Sequence, residues 1–380
     1  MSKISKVITI IIMIVAFGAV AASVALPLIE QSRKIYTRPK YIAPYLYEIS
    51  YKDYIYDTEE VTHEAMEAFG CSSVRNGNFY GRNFDYIFND TPEFVVHVAA
   101  TEDRHASIGV ATHYGLRESS MQKNEYDKQL ELIPNLTMDG INDAGVIASI
   151  NVVPGKEDVG DFTGTNPEGE PLPAAFMVRY VLDNADSADK AVELLKARNI
   201  SGTAVNDMYL HIMIADPDKT YVGEFINNEF VVEEKTGDEQ IMTNFYNNLP
   251  ELTEHAAGVE RYNILKANYN EGTSMVGMRN LLARVKYSNA YNYSTEPWYS
   301  EIIPQSMIGE LDTNPEFAKY AIETFNNVCK DYWNYISNDI RQPANTTFWH
   351  TTHNSIYDIE KKQLRLTVQE NYSDYFDFYL

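Results

Sequence analysis

Three kinds of hydrophobic pattern divide the chain. The first is an uncharged run from Val7 to Ile29, preceded by Lys3 and Lys6. It is long enough to cross a bilayer core of about 30 Å, so residues 1–29 read as a signal peptide or an N-terminal membrane anchor. Ser23-Val24-Ala25 offers small residues for cleavage, whereas the length of the run suits retention, and both readings stay open. Either way the chain is expected to be exported to the extracellular space or the cell surface. Residues 30–70 are rich in tyrosine, lysine and proline with little periodicity, and read as a linker or pro-segment leading to a short helix at THEAMEAF.

The second pattern consists of β-branched and aromatic runs bounded by turn residues, which mark strands. These are EFVVHVAA, ASIGVATHY, GVIASINVV, MYLHIMIAD, KTYVGEFI, NEFVVEE and the closing pair TTFWHTTHNSIYDI and KQLRLTVQE. The third pattern is apolar residues at helical spacing, in PAAFMVRYVLDNA, SADKAVELLKAR, EHAAGVERYNILKANY, SMVGMRNLLARVKY and PEFAKYAIETFNNVCKDYWNYI. In SADKAVELLKAR, Ser187 is a candidate N-cap and Asp189 places negative charge in the first turn. Groups of strands alternating with groups of helices predict an α+β fold over residues 71–380, with helices covering two stacked antiparallel sheets.

The sharpest local signal is GCSSVRNGNFYGRNFDY, residues 70–86. Asn76-Gly77 between two strand-like runs predicts a two-residue hairpin. That loop would place Cys71 opposite Arg82, with Cβ atoms roughly 4.5–5.5 Å apart. A guanidinium beside a thiol favours the nucleophilic thiolate, and Asp85 falls near the Cys71 nitrogen. If the chain were cut between Gly70 and Cys71, the new α-amine, with an intrinsic pKa of about 7.7–8.0, could take the thiol proton itself.

Composition narrows the function without deciding it. With 380 residues, 44% of them hydrophobic and 12% aromatic, the chain can bury a sizeable core. A net charge of -23 argues against nucleic acid and anionic membrane surfaces as partners. Only two cysteines occur. Cys329 reads as core of a helix, and a Cys71–Cys329 disulfide is the alternative open to an exported chain. His350 and His353 do not form a metal pair, because an offset of three on a strand points them to opposite faces. Asp216-Pro217-Asp218 reads as a hairpin turn, not a calcium loop. There is no G-x-S-x-G elbow, P-loop or dinucleotide fingerprint, and none of the eight histidines sits in a cysteine-protease signature.

In order along the chain, several segments resemble those of the N-terminal nucleophile hydrolases, in particular the choloylglycine hydrolase and penicillin V acylase family. Cys71-Ser72 is similar to that family's Cys-Thr start, and Gly81-Arg82-Asn83-Phe84-Asp85 to its Gly-Arg-Asn-x-Asp segment. Gly140-Ile141-Asn142-Asp143-Ala144-Gly145 with Ser149-Ile150-Asn151 resembles its turn and following Leu-Asn. Met242-Thr243-Asn244, Glu260-Arg261-Tyr262 and FWHTTHNSIYDIEKKQL resemble its Leu-Thr-Asn, its Glu-Arg-Tyr and its closing hairpin. Ser72 departs from the family's threonine. Seventy residues precede Cys71, where bile-salt-cleaving members have only the initiator methionine, so activation must involve cleavage.

The resemblance implies a four-layer αββα sandwich with Cys71 as nucleophile and Arg82 and Asp85 beside it. It further implies Asn151 and Asn244 around the oxyanion, Arg261 in support, and no cofactor or metal. The expected activity is hydrolysis of a linear C–N amide bond in a small-molecule N-acyl compound of the penicillin V, conjugated bile acid, N-acyl amino acid or lactone type. The alternatives are a histidine-assisted cysteine hydrolase and a non-enzymatic cell-surface binding domain with a structural Cys71. Membrane contact is expected only through the N-terminal segment, no nucleic acid is expected as a partner, and assembly into a homo-oligomer stays open.

Overall fold

The computed structural model describes residues 35–54, 71–86, 91–113, 123–153, 164–201, 209–249, 258–286, 350–369 and 371–380. The signal or anchor segment, the THEAMEAF helix, the helix expected over residues 315–336 and Cys329 all lie outside the described residues. Among the described residues, no helix is long and apolar enough to cross a membrane. In chain order the strands are β1 (Lys40–Ala43), β2 (Leu46–Tyr51), β3 (Ser72–Asn76), β4 (Phe79–Tyr86), β5 (Glu93–Val98), β6 (Ser107–Thr112), β7 (Thr137–Asn142), β8 (Ile147–Val153), β9 (Pro171–Pro173), β10 (Asn199–Ser201), β11 (Tyr209–Ala215), β12 (Thr220–Ile226), β13 (Glu229–Glu234), β14 (Ile241–Met242), β15 (His350–Asp358), β16 (Gln363–Val368) and β17 (Phe376–Tyr379). The α-helices are α1 (Lys123–Leu132), α2 (Met177–Asn184), α3 (Ala188–Ala197), α4 (Val259–Ala267) and α5 (Met275–Ala283).

Among the described residues, two sheets carry the fold. The larger has nine strands in the order β1-β2-β5-β6-β7-β8-β11-β12-β13, and the smaller has six in the order β14-β3-β4-β15-β16-β17. Every neighbour within them is antiparallel except β2 and β5. The short parallel pair of β9 and β10 stands apart. Because side chains alternate along a strand, each sheet has an inner and an outer set. Ile141, Ile147, Met213 and Val222 of the larger sheet meet Tyr80, Tyr357, Leu364 and Leu366 of the smaller in one buried cluster. On the far side of the larger sheet, Ala148, Ile150 and Val152 pack on Val178, Val181 and Leu182 of α2 and Leu195 of α3. Outside the smaller sheet, Val74 and Ile356 pack on Leu265 of α4 and Met278, Leu281 and Leu282 of α5. The result is helix, sheet, sheet, helix, the αββα sandwich that the resemblance implies.

The strand and helix patterns are met where they are described, and Ser187 caps α3 by accepting from the Lys190 backbone N–H. Four features differ from the sequence reading. First, β1 and β2 lie inside the segment read as linker, and Leu46, Ile49 and Tyr51 of β2 are buried in the cores. Its pattern is hidden because the strand is only six residues long and its buried positions, Leu46, Ile49 and Tyr51, do not alternate regularly with the half-exposed Tyr47, Glu48 and Ser50. Second, β7 and α1 were not expected: TMDGIN buries a polar strand, and KNEYDKQLEL is too polar to display an apolar stripe.

Third, the hairpin loop is Gly77-Asn78, with Asn76 paired to Phe79 and Ser73 to Arg82. Gly77 takes φ +57, the conformation a non-glycine residue resists, at the first loop position. The register therefore shifts by two, Cys71 and Arg82 become diagonal neighbours, and the shared face is kept. Fourth, β15 carries a bulge between Thr351 and His353, so that Thr351 opposes Asp85 and His353 opposes Phe84. The bulge resets the alternation, which removes the parity argument used for His350 and His353.

Candidate active site

The six sequence-expected residues come from five places in the fold. Cys71 immediately precedes β3, Arg82 and Asp85 lie on β4, Asn151 on β8, Asn244 just after β14, and Arg261 on α4. Cys71, Arg82 and Asp85 have no exposed surface, and the other three are nearly as buried. The Arg82 Nη2 group lies 3.6 Å from Cys71 Sγ and also donates to the Ile150 carbonyl at 2.6 Å. Its Nη1 pairs with Asp139 Oδ2 at 2.8 Å, so the guanidinium is fixed on three sides.

Burial pushes the Cys71 thiol above its ordinary pKa. Arg82 pulls the other way, Asp85 raises the thiol further through its charge, and the Asp85 backbone N–H and Arg261 lower it. The guanidinium alone therefore does not make Cys71 a thiolate in the intact chain, in contrast to the simplest reading of the hairpin. Desolvation of a buried anion outweighs one diagonal positive neighbour.

Arg261 joins the two halves of the site. Its Nη1 donates to the Cys71 carbonyl at 2.8 Å and the Ser72 hydroxyl at 3.1 Å, and its Nη2 to Asn244 Oδ1 at 2.7 Å. The same Nη1 is 3.7 Å from Asp85 Oδ2, and Asp85 Oδ1 accepts the Thr351 hydroxyl at 2.6 Å. Since a guanidinium only donates, the Asn244 atom facing it must be the oxygen. The amide nitrogen is thereby turned away from Arg261 and donates to the Val152 carbonyl at 2.6 Å.

Asn151 is placed differently. Its oxygen faces Arg82 Nε and the Ser73 hydroxyl at 3.4 Å each, while its nitrogen donates to the carbonyls of Met242 and Thr243 at 3.2 Å. Both amide hydrogens are thus spent on backbone, and the side chain clamps the end of β14 that leads to Asn244. His211 Nε2 lies 2.8 Å from the same Thr243 carbonyl. Beyond it, Glu224 takes the Asn247 and Asn248 backbone N–H groups at 2.6 and 2.9 Å. Burial would raise the Glu224 carboxyl, but its His211 contact and those N–H groups hold it below the usual range.

The sequence reading missed Asp139, Glu93, His211 and Glu224 as parts of this machinery. The signal available was a charged side chain at an inward position of a strand with apolar neighbours, as in EFVV and LHIM. Among the described residues no group of histidine, cysteine and carboxylates suits a metal ion.

Residues 133–372 match the family described as acyl-coenzyme A:6-aminopenicillanic acid acyl-transferase. The chain belongs to this family. The acyl-transferase match spans β7 to the strand pair β15 and β16, and the hairpin bearing Cys71, Arg82 and Asp85 reaches it through the pairing of β4 with β15. Comparison with curated proteins finds no match. A mutant of conjugated bile acid hydrolase from Clostridium perfringens shares the fold, with TM-score 0.52 and 12% identity over 82% of this chain and 92% of that one. Penicillin V acylase from Agrobacterium tumefaciens is similar at TM-score 0.39 and 17% identity over 82% and 86%. The architecture of this acyl-transferase family member is thus the sandwich of the N-terminal nucleophile hydrolases.

Proposed function

We propose that this protein is an exported amidase that hydrolyses a linear C–N amide bond in a small N-acyl compound, with Cys71 as nucleophile once cleavage after Gly70 makes it N-terminal. The observation that carries the reading is the convergence of three elements on one residue: Arg82 at the Cys71 sulfur, Arg261 at its carbonyl, and Asn244 held by Arg261. In the intact chain the Cys71 nitrogen is an amide and cannot act as a base. Freed as an amine, it takes the thiol proton, and the thiolate attacks the substrate carbonyl carbon. Charge then develops on the carbonyl oxygen, where the Asn244 amide stabilises it. The ammonium returns the proton to the departing amine as the C–N bond breaks, leaving a thioester. Water, deprotonated by the same amine, cleaves the thioester and regenerates the thiol.

Among the described histidines, the two buried between the sheets are engaged away from the Cys71 sulfur, which supports the amine over a histidine as base. His353 faces two carboxylates, and His211 faces Glu224 and the Thr243 carbonyl. Penicillin V, conjugated bile acids, N-acyl amino acids and N-acyl lactones are the substrate classes to assay. Intact-mass measurement of the purified protein is expected to give an N-terminus at Cys71. Cys71→Ala is expected to retain Gly70 and lose turnover of every substrate. Release of the leader from that variant would assign the cut to another protease, and retained turnover would refute the nucleophile.

A further inference from the structure

On the side of Arg82 away from Cys71, charged side chains of alternating sign run between the sheets. Asp139 Oδ2 receives Arg82 Nη1 at 2.8 Å and His353 Nε2 at 3.1 Å. His353 Nδ1 lies 3.2 Å from Glu93 Oε2, which also accepts the Thr112 hydroxyl at 2.6 Å. Tyr357 donates to Asp139 Oδ1 at 2.5 Å. Arg82, Asp139, His353 and Glu93 come from β4, β7, β15 and β5, and each has no exposed surface.

Each ring nitrogen of His353 lies within 3.2 Å of a carboxylate oxygen, and negative charge on both sides favours the doubly protonated imidazolium. Phe84 closes one ring face, stacked at 5.0 Å, and the same Phe84 ring lies 4.8 Å beneath the Arg82 guanidinium. Burial alone would favour neutral imidazole, but the Glu93 charge and the Asp139 hydrogen bond raise the His353 pKa to about 9. The four charges sum to zero, Arg82 and His353 against Asp139 and Glu93. Without His353, Arg82 would be the one cation of the four left against two carboxylates.

We infer that His353 and Glu93 are positioning residues for the nucleophile: held by Asp139, they set how much of the Arg82 charge reaches Cys71 and so where the thiol loses its proton. This rests on the reading of Cys71 as nucleophile. The other charged groups facing the thiol, Asp85 on β4 and Arg261 on α4, are untouched by changes at these two positions. Removing the imidazolium leaves the network one unit negative and disfavours a thiolate. Removing the Glu93 charge as well restores the balance. One unit charge acting over about 10 Å at an effective permittivity of about 20 shifts a titration by roughly one pH unit.

The test is the pH titration of Cys71 thiolate absorbance, taken as a difference against Cys71→Ala, with all proteins compared in the same cleavage state. His353→Gln is expected to raise the midpoint by about one pH unit, and His353→Gln with Glu93→Gln to bring it back toward wild type. A role in packing alone would make the double variant worse than the single, and an unmoved midpoint or a missing rescue overturns the inference. Should His353→Gln fail to fold, the ring nitrogen shifts of labelled wild-type protein decide: both nitrogens are expected protonated at about pH 8, above the ordinary histidine range. A neutral tautomer there overturns it. The titration reads the thiol itself, so a Cys71→Ala protein that still turned over substrate would defeat the amidase reading separately.

Discussion

Arg261 holds Asn244 by its oxygen, and that one contact decides which way the amide points. An amide donor aimed at charge that exists only in the transition state contributes about 10²–10³ in rate. Asn244→Ala is therefore expected to lower kcat by that factor with a smaller change in KM, measured by steady-state kinetics on whichever amide is turned over. A rise in KM alone would make Asn244 a ground-state contact. At Arg82 the sign follows from the thiol. Burial raises the Cys71 pKa and Arg82 lowers it, so Arg82→Gln leaves desolvation less opposed. The acid limb of kcat/KM is expected to move to higher pH. The same change takes one cation from Asp139 and leaves it His353 and Tyr357, so the loss of stability is expected to fall below the about 3–5 kcal/mol of a fully uncompensated buried charge. Thermal melts read that loss independently of the pH profile, and an unshifted limb would mean that the diagonal contact does not act on the sulfur.

At the scale of elements, small backbone devices set these contacts. Gly258 has φ +81 directly before α4, and a Cβ there would lie 2.9 Å from the Asn244 nitrogen and 2.8 Å from Thr243 Oγ1. Gly258→Ala is expected to cost at least the about 1–2 kcal/mol of a left-handed alanine and to lower kcat by displacing Asn244, seen as a fall in Tm together with a fall in turnover. What was legible in the sequence follows the same division. Regular alternation revealed most of the strands, and the shared face of Cys71 and Arg82 survived a register shift of two because parity did. The exact register was not legible, since Gly77 could occupy either position of the loop. The bulge at Thr352 left no mark in the pattern, and with it the placement of His353 between Asp139 and Glu93 stayed hidden. Arg261 was readable as a residue, but its three acceptors were not, because they are 17 to 190 positions away.

For the whole molecule, the decisive feature is that β1 and β2 precede the cysteine and yet belong to the larger sheet. β2 pairs in parallel with β5 from Leu46 against Glu93 to Tyr51 against Val98. Tyr51 also donates from its hydroxyl to the Leu130 carbonyl at 2.5 Å. If the peptide after Gly70 is cut, the upstream piece keeps these bonds and its buried apolar surface. It is expected to co-purify with the downstream piece under native conditions and to separate only in denaturant, as read by native and denaturing mass spectrometry; a lone downstream chain with full activity would contradict this. Cutting would also change the order of the folding reaction. A continuous precursor finds its sheet in a first-order process, whereas two separated pieces must first collide, so the Tm of the cut protein is expected to rise with concentration. Once diluted and unfolded, the two pieces would re-form the sheet at a rate set by how often they meet, and the peptide bond after Gly70 would have served as the tether that made the first assembly fast.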